Sequence, residues 1–425
     1  MTFQPEKNNH WWLAILSGIL LWSAWAEGAL GFLLHTALIP LLIIESELSE
    51  RPYKKKATRY FLLLLLSFTL WHSLSAWSTT RFETTTIIIR ALMSAIPMML
   101  FFFTKKAAGN IAGYFSLIMY WIAFEYIYSY WGEKTLWPIL GNGFSSLTYL
   151  IQWYEITGSQ GGSSWILAGN LILFHSIQNR RINSLGITIF AMLFIIPSSI
   201  SLIRYLSYHN MDHPYKVIII EPFSRLNQSS SAEYTSMQTL HDGFQESRKD
   251  PETSSSLPHK PKNGGEARGR TTWLTSPTTT WISKKNKRAR SFIQSGLFNI
   301  NQFPTGETIT GRVRQGARFI VLIANQETDA HIQYTRLRSI ETRRDIILVS
   351  EGESVFHINQ KGDIMDVSIF SEPPPKLQGN DIRLNDLKTF YVKYGDYIGI
   401  SSLYFSLICI FILLGGILVN RTNFI

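Results

Sequence analysis

The sequence predicts a polytopic α-helical membrane domain of about eight spans that carries an α/β domain on its outer side. Three observations carry this. Apolar stretches near the length a bilayer requires recur through the first half of the chain and return once at its end. Basic residues crowd into alternate connections between those stretches. Between the seventh and eighth stretch, short apolar runs alternate with helical periodicity and turn residues, as in an α/β domain.

The apolar stretches fall roughly at residues 11–25, 30–44, 60–77, 86–103, 111–130, 164–175 and 185–205, with the last at 398–419. This divides the chain into a seven-span membrane domain (1–206), an outer domain (207–397) and a closing span (398–425). The first stretch lacks a small-residue cleavage site and runs directly into a second, so it reads as a retained span rather than a signal peptide. Arg51, Lys54, Lys55, Lys56 and Arg59 follow the second stretch, Lys105 and Lys106 the fourth, Arg180 and Arg181 the sixth, and Arg421 the eighth. The intervening connections carry only Arg81 and Lys134. The positive-inside rule therefore places every basic loop in the cytoplasm and the domain at 207–397 outside.

Composition agrees. Hydrophobic residues make up 46% of the chain and charged residues 16%, but the apolar excess lies almost wholly outside the central domain. The +10 net charge sits beside apolar stretches and in a polar linker, so the expected counterpart is a membrane surface and not nucleic acid. Cys409, in the eighth stretch, is the only cysteine. This excludes an intrachain disulfide, a cysteine-based zinc site and a cysteine nucleophile in the outer domain. No cofactor is implied. His209, Asp212 and His213 could bind a metal on a helix, but a juxtamembrane polar cluster is the preferred reading.

The connection at 131–162 is long and aromatic, with Trp131, Trp137, Tyr149, Trp153 and Tyr154 among glycines. It reads as an interfacial belt or re-entrant segment, or as a docking platform for lipid or the outer domain. The outer domain opens with a strand at 215–220. Tyr234, Met237, Leu240 and Phe244 then recur at helical spacing. Residues 245–290 lose nearly all apolar content and read as low-complexity loop or disorder, with order resuming at 291–293. From 306 to 362 the α/β pattern is clearest. A buried strand at 318–324 precedes a helix capped at Thr328 and Asp329, then a strand at 346–349 and a hairpin turning at Gln360-Lys361-Gly362. On the helix, Arg338, Glu341 and Arg344 stand at three-residue spacing. Exposed, they would add only tenths of a kcal/mol as bridges; buried, they could hold strand ends or face phosphates.

Several of these segments resemble the apolipoprotein N-acyltransferases, in particular a branch found in Bacteroidetes. The residues are Gly141-Asn142-Gly143-Phe144, Gln152-Trp153-Tyr154-Glu155-Ile156-Thr157-Gly158, Arg314-Gln315-Gly316-Ala317, the run from Arg336 to Arg344, and the run from Thr389 to Gly399. The resemblance implies a multi-pass protein of the bacterial inner membrane with a nitrilase-like α-β-β-α domain in the periplasm. Its partners would be membrane phospholipid and a lipoprotein N-terminus. Family members pass an acyl chain from phospholipid to the N-terminal amine of a diacylglyceryl-modified cysteine, through a thioester on a Glu–Lys–Cys triad. A thiolate supplies the nucleophile, a carboxylate moves the proton and an ammonium steadies the oxyanion.

Here the pattern breaks. Counting back from Arg314 through Gly306-Glu307, the family's Cys-Tyr-Glu motif falls on Ile300-Asn301-Gln302. Ile300 has no nucleophilic atom, an amide such as Asn301 is no substitute at neutral pH, and Ser291 and Ser295 are off the position. Pro251-Glu252-Thr253 has the text of the family's base motif without a buried strand before it, so Glu252 is either the base position or a solvated loop glutamate. Lys285, flanked by Lys284 and Lys287, is in about the right order for the lysine, although a basic run is usually solvated. His331 matches a family histidine with an expected structural role. The sequence therefore leaves a divergent, impaired or inactive acyltransferase against a non-catalytic membrane protein that binds lipid, lipoprotein or an active paralogue. A decaying gene copy is the third reading.

Overall fold

The computed structural model describes residues 10–26, 28–50, 55–77, 84–131, 139–178, 183–208, 214–220, 254–255, 270–275, 295–299, 306–324, 329–350, 354–369 and 378–419. The chain forms two compact units. A helical unit takes Met1–Ser207 with Tyr394–Ile425, and a mixed unit takes Tyr208–Lys393.

The helical unit consists of α1 (His10–Ala26), α2 (Leu34–Ala37), α3 (Ile39–Glu50), α4 (Lys56–Trp77), α5 (Thr84–Trp131), α6 (Tyr154–Gln178), α7 (Ser184–Ser207) and α11 (Tyr397–Val419). Among the described residues four stretches are long and apolar enough to cross a membrane: Leu30–Ser49, Thr84–Tyr130, Ser184–Ser207 and Tyr397–Leu418. The helix α1 is apolar but shorter, while α4 and α6 are long enough and more polar.

The 48-residue α5 is not one rod. Gly109 has φ 85° and ψ 178°, a conformation open to glycine, and the chain doubles back there. Thr104 Oγ1 and Tyr120 Oη lie 2.9 Å apart, whereas sixteen residues of straight helix would separate them by about 24 Å. The Phe101 and Tyr114 rings, 5.9 Å apart, close the same hairpin. Lys105 and Lys106, expected in a loop, are instead helical. Lys105 is buried and ion-paired to the buried Glu45 of α3, with its ammonium 4.9 Å from the Tyr114 ring. The sixth apolar stretch also extends further than its text suggests, because α6 starts ten residues earlier and bends at Gly158 (φ 65°).

The mixed unit holds two sheets. Strands β1 (Pro214–Ile220), β2 (Ser254–Ser255), β3 (Arg270–Thr275) and β9 (Gln378–Arg383) form a four-stranded sheet in the order β2-β3-β1-β9. Strands β4 (Ser295–Asn299), β5 (Phe319–Ala324), β6 (Ile346–Ser350), β7 (Ser354–Ile358) and β8 (Ile364–Ile369) form a five-stranded sheet in sequence order. In it β4, β5 and β6 are parallel, while β7 and β8 return antiparallel. Two helices, α8 (Gly306–Arg314) and α9 (Asp329–Thr342), fill the parallel crossovers, and α10 (Phe390–Tyr394) leads to α11.

Every residue of β5 is buried, so both of its faces are covered. Phe319, Val321 and Ile323 alternate onto one face and share a core with Ile347, Val355 and Ile382 of β9, which joins the two sheets. Ile309 and Val313 of α8 and Leu337 and Ile340 of α9 are buried as well. The strands at 215–220, 318–324, 346–349 and the hairpin thus form as the text suggests, with Gly362 at φ 86° in the turn. The reading of 245–290 as loop or disorder is corrected at 254–255 and 270–275, and the rest of that stretch lies outside the described residues. The two corrected segments are β2 and β3, and β3 pairs with β1 in parallel, Ile218 opposite Trp273. Arg270-Thr271-Thr272-Trp273-Leu274-Thr275 is β-branched and aromatic enough to pair, though it lacks an apolar alternation. The helical pattern at 234–244 and the return of order at 291–293 lie outside the described residues.

At Gly109 an added Cβ meets nothing within 4 Å, so only backbone strain opposes a side chain. Gly109→Ala and Gly109→Asn are each expected to cost about 1–3 kcal/mol in thermal unfolding of the purified protein, since this extended positive-φ region is open to glycine alone. Equal stability of the alanine variant and the parent would contradict the hairpin geometry.

Candidate functional site

The sequence-derived site cannot be assembled from side-chain contacts, because Glu252, Lys285 and Ile300 all lie outside the described residues, as do His209, Asp212 and His213. The flanking framework is described. Residue 300 follows directly on β4, which pairs in parallel with β5, Asn299 opposite Ile323. Glu252 lies two residues before β2, and Lys285 lies between β3 and β4. Among the described residues no three His, Cys, Asp or Glu side chains gather as metal ligands. The sole cysteine, Cys409, is a free, buried thiol on α11 in the helical unit.

The most developed polar arrangement of the mixed unit is at the end of α9, where Arg338, Glu341, Arg343, Arg344 and Asp345 are all buried. Arg338 grips Glu341 with both guanidinium nitrogens, at 2.9 and 2.8 Å, and stacks over Tyr334 at 5.0 Å. An added Cβ on Gly306, the first residue of α8, would run into the Arg338 guanidinium and the Tyr391 hydroxyl, so a side chain there would have to displace both. Arg343 takes φ 52° to turn the chain from α9 into β6, donates to the Gln360 carbonyl at 3.0 Å and lies 4.6 Å from the Tyr208 ring.

Arg344 acts as a backbone clamp. It donates to the carbonyls of Ala317 (2.9 Å), Thr342 (3.1 Å), Arg343 (3.2 Å) and Leu387 (2.8 Å). Burial lowers its guanidinium to about 10, which leaves it cationic at neutral pH. Asp345 receives His357 Nε2 at 3.0 Å and the Arg383 N–H at 2.8 Å, linking β6, β7 and β9. Asn385 donates to the Arg343 carbonyl at 2.9 Å and to Gln360 Oε1 at 3.0 Å, and Tyr208 donates to the same Oε1 at 2.7 Å. Thr389 donates to the Glu341 carbonyl at 2.6 Å. Two of the roles open to these arginines are observed: Arg338 bridges along its helix to Glu341, and Arg344 holds strand ends. The network joins the first residue of the mixed unit, Tyr208, to its last connection, 385–393.

In the helical unit, the two loop signatures fold onto each other. All of Leu140–Phe144 is buried in a 3₁₀ turn. The Leu140 N–H and Trp121 Nε1 each donate at 2.9 Å to Oε1 of Glu125, a fully buried carboxylate on α5. The Gly141 N–H donates to Ser163 Oγ at 2.9 Å, and Tyr154 donates to the Gly141 carbonyl at 2.8 Å. A Cβ on Gly141 would collide with the Ser159 carbonyl, so glycine is required for this approach. Buried Gln152 takes Ser201 Oγ on its N–H at 2.5 Å and donates to the Thr148 carbonyl at 2.7 Å. Within the described part of this connection Leu140–Phe144, Thr148, Ile151, Gln152 and Tyr154 pack inward, while Tyr149 is exposed. Glu125 went unread in the sequence, although a lone carboxylate within an apolar helix is itself a signal.

Comparison with known proteins agrees with these features. Residues 17–172 match the model of the apolipoprotein N-acyltransferase N-terminal domain, a range that contains both loop signatures and Glu125. An apolipoprotein N-acyltransferase of Chlorobaculum tepidum is 27% identical over 221 residues, covering 49% of this chain and 40% of that protein. The matched part thus spans about two fifths of the relative's length. The family resemblance read from the loop signatures is that of the apolipoprotein N-acyltransferases.

Two measurements probe the buried cluster. Glu341→Ala leaves the Arg338 charge buried beside an empty site and is expected to destabilise the protein by about 3 kcal/mol or more, whereas Glu341→Ala combined with Arg338→Met should recover most of that loss. A single variant as stable as the parent would remove the cluster from its structural role. The second probe is His331 on α9, whose imidazole burial lowers to about 4 from its ordinary 6.5. The unfolded chain then binds this proton more readily than the folded chain, so stability should fall as pH drops from about 6.5 toward 4. His331→Gln should flatten that stretch of the thermal-stability profile.

Proposed function

We propose that this chain is an apolipoprotein N-acyltransferase homologue of the bacterial inner membrane whose thioester route is closed and which binds phospholipid and diacylated lipoprotein without transferring the acyl group. The observation that carries the proposal is the whereabouts of sulfur. The one cysteine, Cys409, is buried in a candidate membrane span, and the position that follows β4, where the family's nucleophile aligns, is Ile300.

The family's acyl transfer begins when a thiolate attacks the phospholipid ester carbonyl, expels the lysophospholipid alkoxide and leaves a thioester. An isoleucine side chain has no lone pair to attack with and no proton to give up, so the first bond cannot form at residue 300. Glu252 and Lys285 are the residues in this reading for the base and the oxyanion partner. Without a nucleophile between them they could serve only as polar contacts for the substrate.

The framework around the site supports retention of a nitrilase-like outer domain. Parallel β4, β5 and β6 with α8 and α9 in their crossovers, and a second sheet joined through Ile382, support the α-β-β part of the layering expected. The hairpin in α5 supplies two crossings where one helix is written. With α1, the α2–α3 pair, α4, α6, α7 and α11 this supports eight crossings, with the mixed unit on the periplasmic side by the distribution of basic loops.

The test has two arms. The purified chain, given phospholipid and a diacylated lipopeptide, is expected to retain both in crosslinking while adding no acyl mass to the peptide. Ile300→Cys, treated with the same lipid, should trap an acyl-thioester visible by mass spectrometry and released by hydroxylamine if Glu252 and Lys285 are in place. Acyl transfer by the unmodified chain would overturn the proposal, and failure to retain either ligand would reduce it to kinship alone.

A further inference from the structure

The connection at 385–393 is held to the mixed unit on one side and exposed on the other. Asn385, Thr389, Tyr391 and Val392 are buried, and the first two are tied to the α9–β6 turn through the Arg343 and Glu341 carbonyls. Between them Asp386, Leu387, Lys388, Phe390 and Lys393 are exposed, Leu387 at 57% and Phe390 at 44%. Single exposed apolar residues are ordinary. Here two large ones interleave with two lysines on a backbone fixed from behind.

The neighbouring end of α8 adds to the charge. Lys388 Nζ donates to the Arg314 carbonyl at 3.0 Å, and Arg318 pairs with Asp386 at 2.7 Å. Arg312 and Arg314 are exposed on that end, Arg314 paired to Glu307. Five cations (Arg312, Arg314, Arg318, Lys388, Lys393) against two anions (Glu307, Asp386) leave the patch at +3. Covalent connection restricts where it can go. Lys393 is four residues before Tyr397, where the candidate span Tyr397–Leu418 begins, and four residues reach at most about 14 Å. The Lys393 end of this surface therefore lies within roughly one or two screening lengths of the headgroups.

We propose that this face docks on anionic phospholipid, with Phe390 and Leu387 at the interface and Lys388, Lys393, Arg312 and Arg314 on headgroup phosphates. The chemistry favours lipid over a protein partner, since interface cores are depleted in lysine, whereas a lysine beside an aromatic ring is suited to the headgroup layer. The proposal does not depend on residue 300 or on acyl transfer. It gives the mixed unit a lipid contact of its own.

The test uses the single cysteine of the chain. In a Cys409→Ser background, Phe390→Cys accepts one environment-sensitive fluorophore, and the full chain is placed in nanodiscs of phosphatidylcholine alone or mixed with phosphatidylglycerol. Emission is expected to shift to the blue and to be quenched by a lipid-borne quencher in the anionic discs. High salt should reverse both. Lys388→Gln with Lys393→Gln should weaken the preference for anionic lipid roughly fivefold per charge removed, while the arginine versions keep it. Water-like emission in both discs, or an equal shift in both that ignores salt, would overturn the proposal. If the glutamine variant also melts early, the arginine variant decides, since loss of the preference there contradicts a charge-based contact.

Discussion

Five charged side chains kept from water at one turn hold the mixed unit in register. Arg338, Glu341, Arg343, Arg344 and Asp345 fall within eight consecutive positions, and each is buried. Removing an ion from water costs several kcal/mol unless partners replace the lost hydration. The replacement here is mainly backbone. Arg344 alone meets four carbonyls, and Arg343 turns through a left-handed conformation to reach the Gln360 carbonyl and the Tyr208 ring. Carbonyls belong to elements, so satisfying these cations means bringing β5, β6, the hairpin turn and the 385–393 connection to fixed places. The core between the sheets follows from that register.

The same turn explains how the domain begins and ends together. Tyr208 and Asn385 meet over Gln360, and Thr389 is held by the Glu341 carbonyl, so entry and exit of the chain share one polar clasp. The segment that leaves the clasp is the one whose outer side carries Leu387, Lys388, Phe390 and Lys393. Rigidity behind and exposure in front have one cause, namely that the buried half of the segment is consumed in satisfying the cluster.

In the helical unit the corresponding constraint is close backbone approach. Glu125 and Ser163 accept the N–H groups of a buried 3₁₀ turn that has no helix to satisfy them, and Gly141 lets that turn come against the Ser159 carbonyl. Buried carboxylate, glycine and tyrosine hydroxyl are one arrangement, in which Tyr154 of the second signature meets Gly141 of the first. Lys105 and Glu45 solve a different problem at the hairpin of α5, where a cation inside a helix pair needs an anion from a third helix.

What the sequence by itself determined is whatever local chemistry dictates. Apolar length marks the membrane helices, continuous short apolar runs mark β5 and β6, the 3.6-residue period marks α9, and a chain whose single cysteine is Cys409 has no thiol to offer after β4. The tertiary structure decided the rest, because those outcomes depend on partners distant in the chain. That Lys105 is buried rather than a loop cation depends on Glu45, sixty positions away. That Arg344 clamps strands rather than bridging along its helix depends on Ala317 and Leu387. The strand at 270–275 was hidden because its text has no apolar alternation, and only pairing with β1 gives its backbone partners. Periodicity reports which face of an element is apolar, whereas the fate of a charge is set by which groups the fold brings to it.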